Sequence, residues 1–250
     1  MNKIILMYHC VYCQDFKESG FQEGNSWQYK VSLEKFEEQV SSLSEYCKFQ
    51  NVDKNKVELT FDDGGVSFWT VIAPVLEKYG FKGVFYISTK YINTPGFLTK
   101  ENIKDLYRRG HIIGSHSHSH PSNLDKLDSG EMLNEWMKSK KILEEILQDR
   151  IEMASIPNGN GSRQVYDAAY KAGFKILDTS EPTTIIGEYK NMLVRGRFVV
   201  HNNMTTTDLM KIIKSKRQRK KLYYKRRFIS IIKVVLGDKY DRIKRFFLRR

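Results

Sequence analysis

The 250 residues carry 42 Lys or Arg against 29 Asp or Glu, a formal net charge of +13, with 40% hydrophobic residues and three cysteines. That length allows one large domain with its own core and argues against a second full domain. Three cysteines suit a reducing compartment better than a disulfide framework, and no apolar run reaches the ~20 residues of a membrane span because Lys233 interrupts the longest candidate.

The charge is uneven. Residues 211–250 hold 17 Lys or Arg against Asp238 and Asp241, leaving 25 basic and 27 acidic residues in 1–210. A nearly neutral body, 1–210, and a basic tail, 211–250, are therefore expected. In chain order, Ile4-Ile5-Leu6-Met7-Tyr8 is too short for a signal-peptide core, has no small-residue cleavage site after it, and predicts a first strand in a cytoplasmic protein. Cys10-Val11-Tyr12-Cys13 lacks the second pair of a zinc ribbon and predicts neither a metal nor a redox site. Residues 12–30 show no periodicity and predict a long loop. Its Trp27 and Tyr29 could offer an aromatic platform to a sugar, although packing against the body is the commoner fate.

Ser32 caps a helix with apolar positions Leu33, Phe36, Val40 and Leu43. Strands at 57–61, 83–87, 111–115, 152–156, 174–178 and 193–200 then alternate with helices at 68–79, 99–109, 129–148 and 162–172, three of which stop at Gly80, Gly110 and Gly173. Such alternation predicts an α/β fold of parallel strands with helical crossovers, and more than six strands in one domain favour a barrel.

Two stretches carry chemistry. Leu59-Thr60-Phe61-Asp62-Asp63-Gly64-Gly65 places two carboxylates where a strand gives out, and Ile113-Gly114-Ser115-His116-Ser117-His118-Ser119-His120-Pro121 places three imidazoles after another. An Asp-Asp-Gly is usually a turn and a lone His cluster is often polar surface, but together at strand ends they match a catalytic metal site. One carboxylate can bind the ion while the other accepts a proton. His116 and His120, four apart, can reach one ion, whereas His118 would point away. His111 begins its strand and reads as structural; His9 ends the first strand and reads as packing or substrate contact.

Thr60-Phe61-Asp62-Asp63-Gly64 and His116-Ser117-His118-Ser119-His120 resemble the first two motifs of the polysaccharide deacetylases of carbohydrate esterase family four. The resemblance implies a distorted (β/α) barrel of about seven parallel strands, to which this chain adds a basic helical extension. It implies that Asp62 is the general base, that Asp63, His116 and His120 hold one divalent metal, and that the reaction removes an N-acetyl or O-acetyl group from a sugar. Zinc suits an Asp-His-His set, and cobalt, nickel or manganese could serve in the same geometry.

The later motifs thin out. Of Arg-x-Pro-Tyr only Pro157 stands, in Ser155-Ile156-Pro157-Asn158, where the turn could aim the Asn158 N–H at an oxyanion. Asp178-Thr179-Ser180-Glu181 is the nearest approach to Asp-x-x-Asp-Trp. Val199-Val200-His201 approximates Leu-x-His and makes His201 the candidate general acid. Arg195 and Arg197, just upstream, could bind a substrate carboxylate or phosphate or lie along the barrel.

Two other functions compete with the deacetylase. A non-catalytic glycan binder would not need Asp62, and a His-x-His phosphoesterase would carry that motif where Tyr8-His9-Cys10 stands. In the tail, Phe228, Ile231, Ile232, Val235 and Leu236 recur at helical spacing among basic residues, and Tyr240, Ile243, Phe246 and Phe247 repeat the pattern. This predicts a separable anchor, 215–250, on the anionic inner face of a membrane, bringing the chain to a lipid-linked glycan; its aliphatic face argues against nucleic acid.

Overall fold

The computed structural model describes residues 3–24, 26–159 and 161–236. The first strand, β1 (Ile4–Tyr8), is buried along its whole length, as an apolar run in a parallel sheet covered on both faces must be. The expected long loop is more structured than its composition suggested. It holds β2 (Val11–Tyr12) and β3 (Val31–Ser32), which pair in parallel, with single 3₁₀ turns at Phe16–Glu18 and Ser26–Tyr29 between them.

The helix α1 (Leu33–Phe49) starts where Ser32 accepts the Lys35 N–H, and it buries Phe36, Val40 and Leu43 as the spacing required. Next come β4 (Val57–Phe61) and a π-helical turn, Phe68–Ile72, that runs into α2 (Ala73–Lys78). They are followed by β5 (Gly83–Ile87), α3 (Lys100–Arg108) and β6 (Ile112–Ser115). The next units are α4 (Ser129–Leu147), β7 (Met153–Ser155), α5 (Arg163–Lys171) and β8 (Ile176–Asp178). Capping boxes at Thr99/Asn102 and Asp128/Glu131 set the starts of α3 and α4.

The turn-rich stretch that follows contains a hairpin, β9 (Ile186–Tyr189) antiparallel to β10 (Met192–Arg195). The single strand expected at 193–200 is in fact two. The residues of β10 pair with β8, whereas β11 (Phe198–Val199) pairs with β1 at the far edge of the sheet. The sheet order is β11-β1-β4-β5-β6-β7-β8-β10-β9, every pairing parallel except β10 with β9. Only Gly196 and Arg197 separate Arg195 from Phe198, so β11, at one edge, comes within about 11 Å of β10, the strand next to the other edge. The sheet is therefore curled into a barrel that the chain itself stitches at one seam. A Cβ on Gly196 would lie 2.3 Å from the Glu181 carbonyl oxygen, which is why the seam passes through a glycine.

The boundary expected at 210/211 falls inside α6 (Thr206–Lys214), whose Ile212 and Ile213 are buried in the main core. The final helix, α7 (Lys216–Leu236), is joined to it: the Arg219 guanidinium donates to the carbonyls of Ile212 (2.6 Å) and Ile213 (2.9 Å), and Leu222 packs on the core. Tyr224, Phe228 and Ile231 project into solvent, each at least 60% exposed. The second apolar repeat, Tyr240 to Phe247, lies outside the described residues.

Candidate active site

The carboxylate and imidazole loops leave neighbouring strands, β4 and β6, on either side of β5, and so meet over one end of the barrel. Asp63 and Gly64 take φ of 89° and 91°, and His120 takes 55°. Of eight non-glycine residues with positive φ among the described residues, four (Asp63, Ser117, His120 and Asn158) sit on these loops or on the one after β7, so backbone strain is gathered at this end.

The resulting geometry is that of a metal-binding cluster. Asp63 Oδ1 lies 3.5 Å from His116 Nε2 and 3.4 Å from His120 Nε2, and the three donor atoms fall within 4.8 Å of one another. A tetrahedral ion with bonds of about 2.0–2.1 Å sets its ligand atoms about 3.3 Å apart, so the residues fit a zinc-like cation. His116 Nδ1 lies 3.0 Å from the Ser155 carbonyl and 2.6 Å from the Ser155 hydroxyl, contacts that hold the ring with Nε2 facing Asp63. Burial opposes ionisation of Asp63, but hydrogen bonds from His116 and His120 outweigh it and hold the carboxyl well below its ordinary value. His118 turns away to Thr89, at 3.0 Å. Glu135 accepts the His118 and Ser119 N–H groups and orders the loop.

Asp62 stands beside the cluster, 3.9 Å from His116 Nε2, but is claimed by another partner. Arg197 donates to both its oxygens, at 2.6 and 2.7 Å, and also to Thr60 Oγ1 and the Thr179 carbonyl. Burial pushes the Asp62 carboxyl up, yet the guanidinium, His116 and His9 together hold it below its ordinary value. A carboxylate with about four lone-pair sites can spend two on a fork and still accept a proton.

Around this lies a cavity of about 930 Å³ lined by His9, Tyr29, Ile156, Asn158 and His201 among others. His9 and His201 lie against Tyr29, with ring centroids 4.7 and 5.2 Å away, and the partly exposed Tyr29 ring lines the cavity beside them. Trp27 is half exposed. Burial, and secondly His9, lowers the His201 pKa; among the described residues no carboxylate pairs with it. Asn158, at φ 57°, follows the buried Pro157 and faces the cavity. Phe21, from the loop before α1, packs edge-on against Tyr91 and Phe97 and lies 4.8 Å from the His120 ring.

Arg195 is not a substrate contact. It is buried at the seam, donating to Asp178 at 2.6 and 2.8 Å and to Glu58 at 2.8 Å, with the Tyr86 hydroxyl also on Asp178. Asp178 is thereby committed to Arg195 and Tyr86 and is unavailable to His201. The reading of Arg197 as an anion binder or a chain lying along the barrel is likewise replaced by its fork on Asp62. The one sequence signal for this pair was two arginines flanking a glycine at the end of an apolar run.

Residues 49–177, a little over half of the chain, match the family model for polysaccharide deacetylase. The chain belongs to that family. The matched span contains Asp62, Asp63, His116, His120 and Pro157, while His9, Arg197, His201 and α7 lie outside it. YxkH of Bacillus subtilis, which carries a provisional polysaccharide-deacetylase name, is 27% identical over 71% of this chain and 64% of its own length. The peptidoglycan-N-acetylglucosamine deacetylase of Bacillus cereus is 32% identical over 52% of this chain and 46% of its own. The chain thus spans less than two thirds of these relatives. Among solved structures, the Streptococcus pyogenes deacetylase PplD superposes with a TM-score of 0.70 at 21% identity, covering 86% of this family member and 99% of PplD. The Bacillus cereus polysaccharide deacetylase BC0361 gives 0.69 at 24%, covering 86% and 69%. At these identities the two likenesses establish the fold.

Proposed function

We propose that the chain is a metal-dependent hydrolase that removes an acetyl group, N-linked in preference to O-linked, from a sugar of a glycan or glycan precursor. The observation that carries this is the Asp63–His116–His120 cluster at ligand spacing with a separately held carboxylate, Asp62, beside it. Relatives named for peptidoglycan N-acetylglucosamine and for chitin support an N-acetylated sugar as substrate.

Asp63, His116 and His120 would hold one divalent cation, zinc by the chemistry of the set, and such an ion lowers the pKa of a water and polarises an acyl oxygen. Asp62, kept ionised by Arg197, takes the proton of the attacking water. The Asn158 N–H, on the cavity wall, donates to the developing oxyanion. His201, on the cavity wall, is the candidate group to return a proton to the leaving amine; because burial favours its neutral form, it must first take up that proton.

The test is acetate release, measured by mass, from a panel of free, nucleotide-linked and lipid-linked N-acetylhexosamines. Asp62→Asn should retain metal and lose at least ~10²-fold in turnover. Binding of those sugars without any acetate release would leave a glycan-binding protein instead. His116→Ala with His120→Ala should lose metal by at least ~10-fold in affinity, and stoichiometric metal retained in that double variant would remove the assignment.

We further propose that the chain works in the cytoplasm, peripheral on the anionic inner face of a membrane. Three free cysteines and the exposed Tyr224, Phe228 and Ile231 among the basic residues of α7 support it.

A further inference from the structure

The final helix is part of the catalytic cavity. Leu222, Lys225, Arg226 and Ile229, spaced three and four apart on one stripe of α7, line the same 930 Å³ space as Asp62, Asp63, His116 and His120. The placement follows from the α6–α7 joint, where Arg219 caps α6 and Leu222 is seated on the core.

Two adjacent cations on the wall of a cavity call for an anion. Arg226 is half-buried and Lys225 exposed, and among the described residues neither forms an ion pair. The cavity's own carboxylates do not neutralise them: Asp62 is forked by Arg197, Asp63 lies among imidazoles, and Glu23 is in no ion pair with either cation. Lys30, a third cation on the lining, is held by the Phe16 carbonyl and Gln22 Oε1. The planar fork of the half-buried Arg226 guanidinium beside a lysine matches the oxygens of a phosphate ester.

We propose that Lys225 and Arg226 form a phosphate subsite at the deacetylase cavity, so that the preferred substrate is an acetamido sugar carrying a phosphate or diphosphate ester instead of a neutral polymer. This rests on the deacetylase reading for the position of the sugar. Leu222 and Ile229, on either side of the two cations, offer apolar contact to the carrier group beyond the phosphate.

The experiment measures, by calorimetry on the full metal-loaded chain, the affinity for N-acetylglucosamine 1-phosphate relative to N-acetylglucosamine. Wild type should prefer the phosphate by at least ~10-fold, and the Lys225→Ala, Arg226→Ala variant should bring that ratio near one. Arg226→Lys should restore part of it. The exposed pair Lys220→Ala, Lys221→Ala removes the same net charge away from the cavity and should keep the ratio. A nucleoside-diphosphate-linked sugar in solution and a polyprenyl-diphosphate-linked sugar in uncharged vesicles separate the two carrier sources. Binding of either that depends on Lys225 and Arg226 upholds the subsite. A wild-type ratio near one, or an equal fall in the Lys220/Lys221 variant, overturns it. Acetate is assayed in parallel: a phosphate ratio without acetate from any sugar would overturn the deacetylase reading and leave the subsite standing.

Discussion

Arg197 has both terminal nitrogens on a buried carboxylate 135 residues earlier in the chain. Such a pair adds little over an apolar replacement, but removing one member strands a buried charge. Arg197→Met should therefore cost roughly 3–5 kcal/mol in urea unfolding. Adding Asp62→Asn should recover part of that loss, because the uncompensated charge is gone. If the double variant were as unstable as the sum of the singles, the fork would not be an ion pair in the energetic sense. A second residue-scale case is His111, at the opposite end of the barrel from the site. Its Nδ1 accepts the Gly83 N–H at 3.0 Å and its Nε2 faces Glu77 at 3.1 Å. Burial, with Lys82 and Arg109 nearby, pushes its pKa down to about 4 against the pull of Glu77. The unfolded chain then takes up this proton first as pH falls. The stability from neutral His111 is full above about 6.5 and drains as pH drops toward 4. Thermal melts across that window should show a shallower decline in His111→Asn, which keeps an acceptor for Gly83 and cannot titrate; parallel curves would refute this role.

Among the elements, α7 changes meaning most between sequence and structure. Its stripe 222-225-226-229 lines the cavity, while Tyr224, Phe228 and Ile231 are exposed, so one helix has a wall face and a free apolar face. Deleting 215–250 would remove both at once and is no clean test of an anchor. Phe228→Ser with Ile231→Ser touches only the free face. It should lower binding to anionic liposomes by about 10-fold or more, since each large apolar side chain contributes ~1.5–3 kcal/mol when fully buried. Neutralising exposed Lys221 and Arg227 should weaken binding at low salt and matter less at high salt. Partition that is unchanged in both variants would exclude α7 as the membrane face. The loop before α1 also takes part in the site, since Phe21 and Tyr29 pack against His120, His9 and His201 on the cavity lining.

At the scale of the whole molecule, the order of strands and helices, the helix caps and the Asp63–His116–His120 cluster were legible in the sequence. The first two rest on local information, an alternating apolar pattern and a capping side chain; the cluster, drawn from the separate loops after β4 and β6, was legible through two motifs that resemble those of the family. The placement of His118 and His111 away from the cluster followed from the same local rules. What the sequence could not show were relations that depend on closing the sheet. The split of 193–200 into β10 and β11 arises because a curled sheet brings β10, near one edge, within two residues of β11 at the other, and no periodicity within eight residues encodes which strand a segment will join. That closure turns Arg197 onto Asp62, sends Arg195 to Asp178 and Glu58, and leaves His201 without the carboxylate a fourth motif would have offered. It also sets α6 in the core and so swings α7 across the cavity, where a tail that composition marked as separate becomes a wall. Spacing along the chain determines which groups one loop can present together; only the packed barrel decides which distant charges meet, because that depends on long-range closure and burial instead of on neighbours in sequence.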